Sequence, residues 1–374
     1  MKAKELLKIT LYSIKQKTIR YNPIQPHVMA NIRYFLTSAF FLACLIPFLA
    51  EGQDIHFSQY FETPLLRNPS LAGIFDGDIR VQGVYRNQWG SVTVPYKTGS
   101  FNMEFKKPIG HGDDFITTGL QLVYDKAGST DFTTTNVLPA LNFHKSLGSD
   151  KSTYLSLGFM GGVVQRRIDR SKMTTNNQYD GNGYNPSLAD GEAFVNDNFT
   201  YLDGSVGMTF SSAISPDRPQ DNYFIGVAFH HFNRPKNSFY HRPDIELSPK
   251  WVYSTGVRFG VSETSFVTIQ ADHTLQGPSR ETVAGAMFGV KIGENYDHPD
   301  YIIHFGSFLR LQDAIIPVVK LDYNPFAIAL SYDVNVSQLK TASQGKGGLE
   351  LSVTYIGFFD GENSSKNTTR CPRF

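Results

Sequence analysis

Large apolar residues alternate with small or polar residues along most of the chain after residue 78. From Phe326 to Val334, every second residue is apolar or aromatic, and the residues between are alanine, serine or aspartate. A period of two sends successive side chains to opposite faces of a β-strand. The pattern predicts fourteen strands, at 79–87, 96–106, 114–125, 133–145, 153–166, 200–211, 221–232, 250–261, 264–273, 281–292, 301–311, 314–323, 326–335 and 348–358.

Most of these strands are nine to fourteen residues long. That length suits a tilted strand crossing a bilayer, whereas soluble sheets favour strands of about 5–6 residues. An even count puts both barrel termini in the periplasm, so external connections follow odd-numbered strands. The longest gaps, 167–199 and 233–249, do follow strands five and seven, although the short gap 312–313 is an exception. We predict an all-β protein, a transmembrane antiparallel β-barrel of about fourteen strands.

Charged residues interrupt the polar series of these strands. Facing lipid near the bilayer midplane, a basic side chain would cost about 2–4 kcal/mol, so we expect a polar lumen instead. The lumen candidates are Glu104, Asp203, Arg258, Asp272, Lys291, Arg310, Lys320, Asp322, Asp333 and Glu350. Aromatic residues near strand ends predict an interfacial girdle of Tyr85, Tyr124, Tyr154, Trp251, Tyr301, Tyr323 and Tyr355.

Composition agrees with this architecture and excludes two other classes. The 374 residues carry a formal net charge of +1 with 18% charged residues, which lacks the basic footprint of a nucleic-acid-binding protein. A mean hydropathy of −0.25 is too polar for a helical membrane protein. In a barrel, the apolar and polar faces average out to such a value.

Residues 29–52 have the layout of a secretory signal peptide. Arg33 precedes an apolar run that ends in small residues, and we predict cleavage after Gly52. A transmembrane anchor is the alternative, but Pro47 interrupts the run and no positive cluster follows it. We interpret 1–28 as an upstream extension before the true start. Export through this signal predicts location in a bacterial outer membrane.

Between the signal peptide and the first strand lies a segment, 53–78, that is apolar without alternating. Its apolar side chains need burial, and Asn68-Pro69 favours a turn. We predict that it tucks into the periplasmic mouth of the barrel, 79–359, and that a polar tail, 360–374, follows. The candidate plug residues are Phe57, Ser58, Gln59, Tyr60, Pro64, Asn68, Pro69 and Gly73.

Short motifs in this segment and along the barrel occur in a consistent order. They are His56-Phe-Ser-Gln-Tyr60, Asn68-Pro-Ser-Leu-Ala-Gly73, Tyr85-Arg-Asn-Gln-Trp89, Leu122-Val-Tyr-Asp-Lys-Ala-Gly128, Gln178-Tyr-Asp-Gly-Asn-Gly183, Phe229-His-His-Phe-Asn-Arg-Pro235, Leu330-Ser-Tyr-Asp-Val-Asn-Val-Ser337 and Leu349-Glu-Leu-Ser-Val353. Together they resemble the PorP/SprF family of outer-membrane components of the Bacteroidota type IX secretion system. The polar tail after Phe359 departs from the family, whose barrels end near the last strand.

The resemblance implies a non-enzymatic barrel that supports export or surface retention of a secreted adhesin through its C-terminal sorting domain. Other type IX secretion components and outer-membrane lipid are the further partners expected. A candidate partner surface comprises Arg86, Gln88, Trp89, Gln178, Tyr179, Asp180, His231, Asn233 and Arg234. Residues 86–89 could instead form a girdle with a rim ion pair, and 231–234 a loop-anchoring turn.

The sequence offers little for catalysis or cofactor binding. It contains no zinc-protease, nucleophile-elbow, P-loop or dinucleotide-binding motif. His230 and His231, adjacent on a predicted strand, would point to opposite faces, and the loop from Asp180 to Asn185 lacks the glycine and glutamate of a calcium loop. We expect no catalytic, cofactor or metal site. A fatty-acid-porin-like transporter or channel for hydrophobic small molecules is the alternative, and a surface enzyme is a third possibility.

Overall fold

The computed structural model describes residues 54–90, 94–110, 113–148, 153–194, 196–296, 299–338 and 340–359. They form a closed antiparallel β-barrel of fourteen strands. The strands are β1 (Ile79–Gln88), β2 (Tyr96–Pro108), β3 (Phe115–Ala127), β4 (Phe132–Ser146), β5 (Tyr154–Arg167), β6 (Asn198–Ser215), β7 (Arg218–His230), β8 (Lys250–Gly260), β9 (Ser265–Gln276), β10 (Ser279–Ile292), β11 (Tyr301–Arg310), β12 (Ala314–Tyr323), β13 (Phe326–Asn335) and β14 (Lys346–Gly357).

Helical structure is confined to single turns in the described ranges. Two are α-helical, α1 (Pro64–Arg67) and α2 (Lys340–Ser343), and four are 3-10 turns, Tyr60–Glu62, Pro69–Leu71, Arg170–Lys172 and Asn176–Gln178. None of the helices in the described part of the chain is both long and apolar enough to span a bilayer. The predicted signal peptide and the polar tail lie outside the described residues.

Each strand pairs with its neighbours in sequence, and the ring closes where β1 meets β14. That seam is continuous from Ile79 opposite Gly357 to Gln88 opposite Gly348. All fourteen predicted strands are present, with shifted ends. The largest shift is in β6, which extends to Ser215 because its hairpin to β7 needs only residues 216–217. β7 ends two residues earlier than predicted, where His231 takes a φ of 55° and leaves the strand.

The burial pattern confirms the predicted alternation. On β14, Leu349, Leu351 and Val353 are exposed, while Glu350, Ser352 and Thr354 are buried. The ten predicted lumen residues all lie on the inward series of their strands, so the prediction of a charged lumen is confirmed. The barrel thus has an apolar outer face and a polar interior.

The aromatic girdle is confirmed with one correction. Six of its seven predicted residues are exposed, but Tyr154 is only 1% exposed. Tyr154 shares the inward face of β5 with Ser156, and its ring lies 5.4 Å from that of Phe115. The prediction was wrong because position at a strand end was used without the phase of the strand.

The two ends of the barrel carry different connections. The long connections 168–197 and 231–249 lie at the end where β1 finishes, which we call the loop end. The opposite end, where β1 begins, has the two-residue connections 216–217 and 324–325 and is called the turn end. Hairpin 277–278 is an exception, since it is short and lies at the loop end.

Candidate functional site: the lumen plug and the loop-end surface

The N-terminal segment 54–78 lies inside the barrel, and we call it the plug. All eight candidate plug residues are buried. Leu65 is fully buried, and it packs in one cluster with Leu138 of β4 and Met160 of β5. Tyr60 packs with Val283 of β10 and Phe308 of β11 in a second cluster. The segment therefore contacts several sides of the barrel wall.

The plug runs from one end of the barrel to the other. Asp54 lies 2.8 Å from the Lys250 ammonium, and its backbone N–H donates to Gln276, both at the loop end. At the turn end, the Phe75 carbonyl accepts a 2.5 Å hydrogen bond from Lys106. The prediction that this segment stays at the periplasmic mouth is thus corrected. The wall presents polar partners at every depth, so the irregular backbone finds hydrogen bonds throughout.

A charged network fixes the plug on the loop-end side. The Glu350 carboxylate accepts the backbone N–H groups of Ser58 at 2.7 Å and Gln59 at 2.8 Å. Glu350 also pairs with Arg86 at 3.1 Å, and Arg86 pairs in turn with Asp333 at 3.2 Å. Buried charges are tolerated only when they are paired and hydrogen-bonded, and these meet both conditions. The plug backbone therefore completes an ion network that belongs to the wall.

Arg310 extends this network around the barrel. It lies 3.3 Å from Asp333 and donates a 2.5 Å hydrogen bond to the Ser58 hydroxyl. The guanidinium of Arg86 also donates to the carbonyl of His56. Wall arginines thus bind His56 and Ser58, and a wall carboxylate binds Ser58 and Gln59.

Two further ion pairs hold the middle of the plug, and here the plug supplies the charges. Arg67 donates to Asp272 of β9 through both Nε and Nη2, and the shortest of these contacts is 2.5 Å. Glu62 accepts a 2.7 Å hydrogen bond from Lys320 of β12. Each pair joins a plug side chain to a strand on the β9–β12 side.

Between Arg67 and Gly73, neutral hydrogen bonds hold the plug. Asn142 of β4 donates to the carbonyls of Ser70 at 2.7 Å and Ala72 at 2.9 Å. The Ser70 hydroxyl lies 2.6 Å from that of Thr209 on β6. Gly158 of β5 is required here, since a Cβ at that position would lie 2.4 Å from the Ser70 nitrogen. Shape and neutral donors thus position this stretch.

A cluster at the loop end, which we call the latch, comprises Asp54, Asp203, His231 and Lys250. The two nitrogens of His231 lie 2.6 Å from Asp54 and 2.8 Å from Asp203. Burial by itself lowers the pKa of His231, but the two carboxylates outweigh it and raise that pKa to about 9. Lys250 and His231 overcome the effect of burial and hold the pKa of Asp54 well below its usual range. The raised pKa of His231 and the lowered pKa of Asp54 make these two groups an ion pair at neutral pH.

Arg86 was predicted to lie on a partner surface, and the structure contradicts this. Its side chain is 1% exposed inside the barrel. It shares the inward series of β1 with Arg80, Gln82 and Val84. The alternation of inward and outward positions along the strand, which assigned the other lumen charges, could also have placed Arg86 in the lumen. Gln88 and Trp89 are half-buried, and the Trp89 ring packs edge-on against Tyr96 at 4.9 Å.

Connection 168–197 is a structured element at the loop end. Arg170 binds Asp190 through Nε at 2.8 Å and Nη2 at 2.9 Å, and its Nη1 donates to the Phe194 carbonyl. Phe239, from connection 231–249, packs against Phe194 at 5.7 Å and Phe199 at 4.8 Å. The two long connections are thereby joined into one loop-end surface.

Within this surface the predicted residues 178–180 have different positions. Gln178 is buried and caps the turn that begins at Thr175, so it is not a contact residue. Asp180 is exposed, but its carboxylate accepts the backbone N–H groups of Asn182 and Gly183. Tyr179 is 62% exposed, and Tyr184, its bridge partner, is 51% exposed. The tyrosines are the side chains free to meet a partner.

Residues 231–234 form a turn, as the loop-anchoring interpretation predicts. The Arg234 N–H donates to the His231 carbonyl, and Asn233 donates to the Leu202 carbonyl at 2.7 Å. His231 is buried in the latch, whereas Asn233 and Arg234 are exposed. The predicted partner surface therefore separates into buried anchors and an exposed remainder.

One cavity lies between the plug and the wall, and another is lined by wall strands and their turn-end connections. One of about 90 Å³ lies beside Phe57, Tyr60 and Val252, between the plug and strands β8–β10. A polar one of about 640 Å³ opens near the turn end, among Asp221, Arg258 and Lys291. No group of three or more histidine, cysteine or acidic side chains suited to a metal ion occurs among the described residues.

A closed barrel of bilayer-length strands with an apolar outer face and a charged interior is a transmembrane β-barrel. The family model for the type IX secretion system membrane protein PorP/SprF matches residues 49–355. The chain belongs to this family. The fold and the family together point to the outer membrane.

Solved structures show a similar barrel architecture at very low sequence identity. TbuX, a toluene transporter of Ralstonia pickettii, is 9% identical with a TM-score of 0.45, over 79% of this chain and 92% of that one. The P. putida toluene transporter TodX is 10% identical with a TM-score of 0.42, over 80% and 95%. CdiB from Acinetobacter baumannii is 8% identical with a TM-score of 0.37, over 74% of this chain and 60% of that one. No curated protein sequence matches the chain.

Proposed function

We propose that this protein is a non-enzymatic outer-membrane component of type IX secretion that holds a secreted adhesin-type cargo by its C-terminal sorting domain. The family match over residues 49–355 is the observation that carries the proposal. Cargo binds at the loop-end surface, which faces the cell exterior. Other secretion components assemble with the barrel.

The loop-end surface supports this proposal through its rigidity and exposed tyrosines. Tyr179, Tyr184 and Leu188 are all at least 39% exposed on connection 168–197. The Arg170–Asp190 pair and the phenylalanine cluster fix this connection before any partner arrives. A preorganised surface loses little conformational entropy on binding, and tyrosine is common among residues that dominate binding energy.

The plug argues against the alternative of an open channel for hydrophobic small molecules. All plug residues from Phe57 to Phe75 except Phe61 and Leu66 are buried, and they pack against wall side chains from both sides of the barrel. A solute would have to displace the charged contacts of Ser58 and Arg67. We infer that the plugged barrel serves as a platform for a protein partner.

Affinity purification of the intact barrel from outer membranes tests the proposal. We expect a large secreted protein and secretion components to be recovered with the wild type. The double variant Tyr179→Ala/Tyr184→Ala should recover at least tenfold less cargo, because a hot-spot aromatic contributes about 2 kcal/mol or more. Tyr296→Ala, at an exposed tyrosine of the turn end, is the matched control.

Two outcomes would reject the cargo role. One is recovery of no secreted protein under conditions that preserve a known barrel complex. The other is solute flux through the full-length barrel in liposome-swelling assays, since the platform model expects flux at the level of empty liposomes. Equal cargo loss in the Tyr296→Ala control would remove the assignment to the loop-end surface.

A further inference from the structure

A row of basic side chains crosses the outer wall of the barrel at the loop end. Lys97 of β2 lies opposite Lys126 of β3, and Lys126 lies opposite Thr133 of β4. Thr133 in turn lies opposite Arg167 of β5. Neighbouring strands are about 4.8 Å apart, so this row, which we call the basic row, spans about 14 Å.

The residues of the basic row face outward, at a defined depth. Lys97 and Arg167 are exposed and belong to the outward series of their strands, with Phe101 and Val163. The girdle residue Tyr124 lies two positions from Lys126 along β3, towards the middle of the barrel, and is 52% exposed. Aromatic girdles mark the membrane interface, so the basic row lies at the level of lipid headgroups.

The charges of the row are incompletely balanced by protein groups. Lys126 pairs with Asp131 at 2.8 Å, and Asp131 also binds Lys172, which lies 3.4 Å from Asp169. In the described part of the chain, no carboxylate lies within 4.0 Å of Lys97 or Arg167. Asp131 comes two residues before Thr133, ahead of the start of β4, and Asp169 comes two residues after Arg167, beyond the end of β5, so both acids lie on the loop-end side of the row.

Lys97 lies opposite Lys126, and Asp131 offsets the repulsion between them only on the Lys126 side. Like charges directly opposite each other on neighbouring strands repel. Lys126 and Lys172 share the carboxylate of Asp131, and Lys172 also lies near Asp169, so these acids are already engaged by other cations. An external anion at this depth would relieve the repulsion.

The opposite wall shows that this arrangement is local. At a comparable level, Leu309 of β11 lies opposite Ile315 of β12, and Ile315 lies opposite Val334 of β13. All three are apolar and at least 39% exposed. Lipid acyl chains suit that sector, whereas the β2–β5 sector suits an anionic headgroup.

We propose that the basic row binds the phosphate groups of a phosphorylated glycolipid of the outer leaflet. The Arg167 guanidinium can donate two parallel hydrogen bonds to one phosphate, and Lys97 and Lys126 supply point charges to another. The Thr133 hydroxyl lies between them as a neutral donor. This inference rests on the proposed function in one respect, which is that the loop end faces the cell exterior. It involves none of the side chains assigned to cargo binding.

Binding of bis-phosphorylated lipid A to the purified full-length barrel in neutral detergent tests this inference. We expect Lys97→Gln/Arg167→Gln to weaken binding at least tenfold, because two headgroup contacts are lost. Lys107→Gln/Lys145→Gln, which alters two exposed lysines at the turn end of the outer wall, is the matched control and should bind like the wild type. Lipid A stripped of both phosphates should bind the wild type as weakly as intact lipid A binds the first variant.

Three results would overturn the site. The stripped lipid could bind as tightly as the phosphorylated one, or both double variants could lose affinity equally. Inorganic phosphate could also compete at the lipid's own concentration, which would indicate a site for free phosphate. Folded barrels resist denaturation by detergent until heated, so a gel-shift assay on both variants confirms that the comparison uses folded protein. If Lys97→Gln/Arg167→Gln still recovers cargo, loss of lipid binding in this variant can be distinguished from loss of the proposed function.

Discussion

Two stretches of the plug are held by different interactions. On the loop-end side, Ser58 and Gln59 bind the charged network of Glu350 and Arg86, and Asp54 lies in the latch. Near the turn end, Ser70 and Ala72 bind neutral groups and pack against glycine. Charge holds the first stretch and shape holds the second, although charged groups return beyond it, where Glu104 accepts the Gly73 N–H and Lys106 donates to the Phe75 carbonyl. The first should respond to charge removal and pH, and the second to added volume.

Removal of Glu350 should have the largest effect. Glu350→Ala takes both acceptors from the plug backbone and leaves Arg86 with Asp333 as its carboxylate partner. Breaking a buried pair costs about 3–5 kcal/mol, so the free energy of unfolding in urea should fall by that amount. Glu263→Ala, at an exposed turn-end position, is the control. Equal losses in the two variants would contradict the role of the network.

Added volume at Gly158 should have the next largest effect. The new methyl group of Gly158→Ala would lie 2.4 Å from the backbone of Pro69 and Ser70. Overpacking of this kind costs about 1–3 kcal/mol in unfolding free energy. Gly83→Ala places its methyl group in open space on β1 and should be close to neutral. A Gly158→Ala barrel as stable as Gly83→Ala would show that shape does not position the Pro69–Ser70 stretch.

The pH response of the latch should be the smallest effect, because it is confined to one end. The pKa of His231 is raised to about 9, above the usual value of about 6.5. Its stabilising contribution is therefore fully present below about pH 6.5 and is lost as the pH rises through about 9. The pKa of Asp54 is lowered, so its contribution is lost only in acid.

Cysteine labelling can measure this release. In an Ile55→Cys/Cys371→Ser background, the labelling rate at residue 55 should increase between pH 8 and pH 10, after correction for the intrinsic reactivity of a free thiol. With His231→Gln added, the rate should be high at pH 8 and change little. A His231→Gln protein that keeps the same pH-dependent increase would exclude the latch as its origin.

Strand phase accounts for most of what the sequence could predict. Alternation alone located all fourteen strands and placed Glu104, Asp272 and Glu350 on the lumen face. The same rule, applied at residue 86, would have placed Arg86 in the lumen as well. The error at Tyr154 has the same origin, since proximity to a strand end was given more weight than phase.

The contacts between the plug and the wall could not be predicted in this way. Ser58 and Glu350 are 292 residues apart in the chain. The alternation within a strand does not show how far the plug extends into the barrel. The latch depends on His231 leaving β7 with a positive φ, which alternation would not reveal. Burial of 54–78 could be inferred from its apolar content, but its full path required the three-dimensional structure.

The pair between Arg86 and Glu350 has a consequence for assembly. These residues face each other across the seam between the first and the last strand. The backbone of Ser58 and Gln59 binds the same carboxylate. A nascent ring without β14 therefore lacks both its closing partner and the group that captures the plug backbone. Closure of the ring and retention of the N-terminal segment become one cooperative event, completed by the last strand to be synthesised.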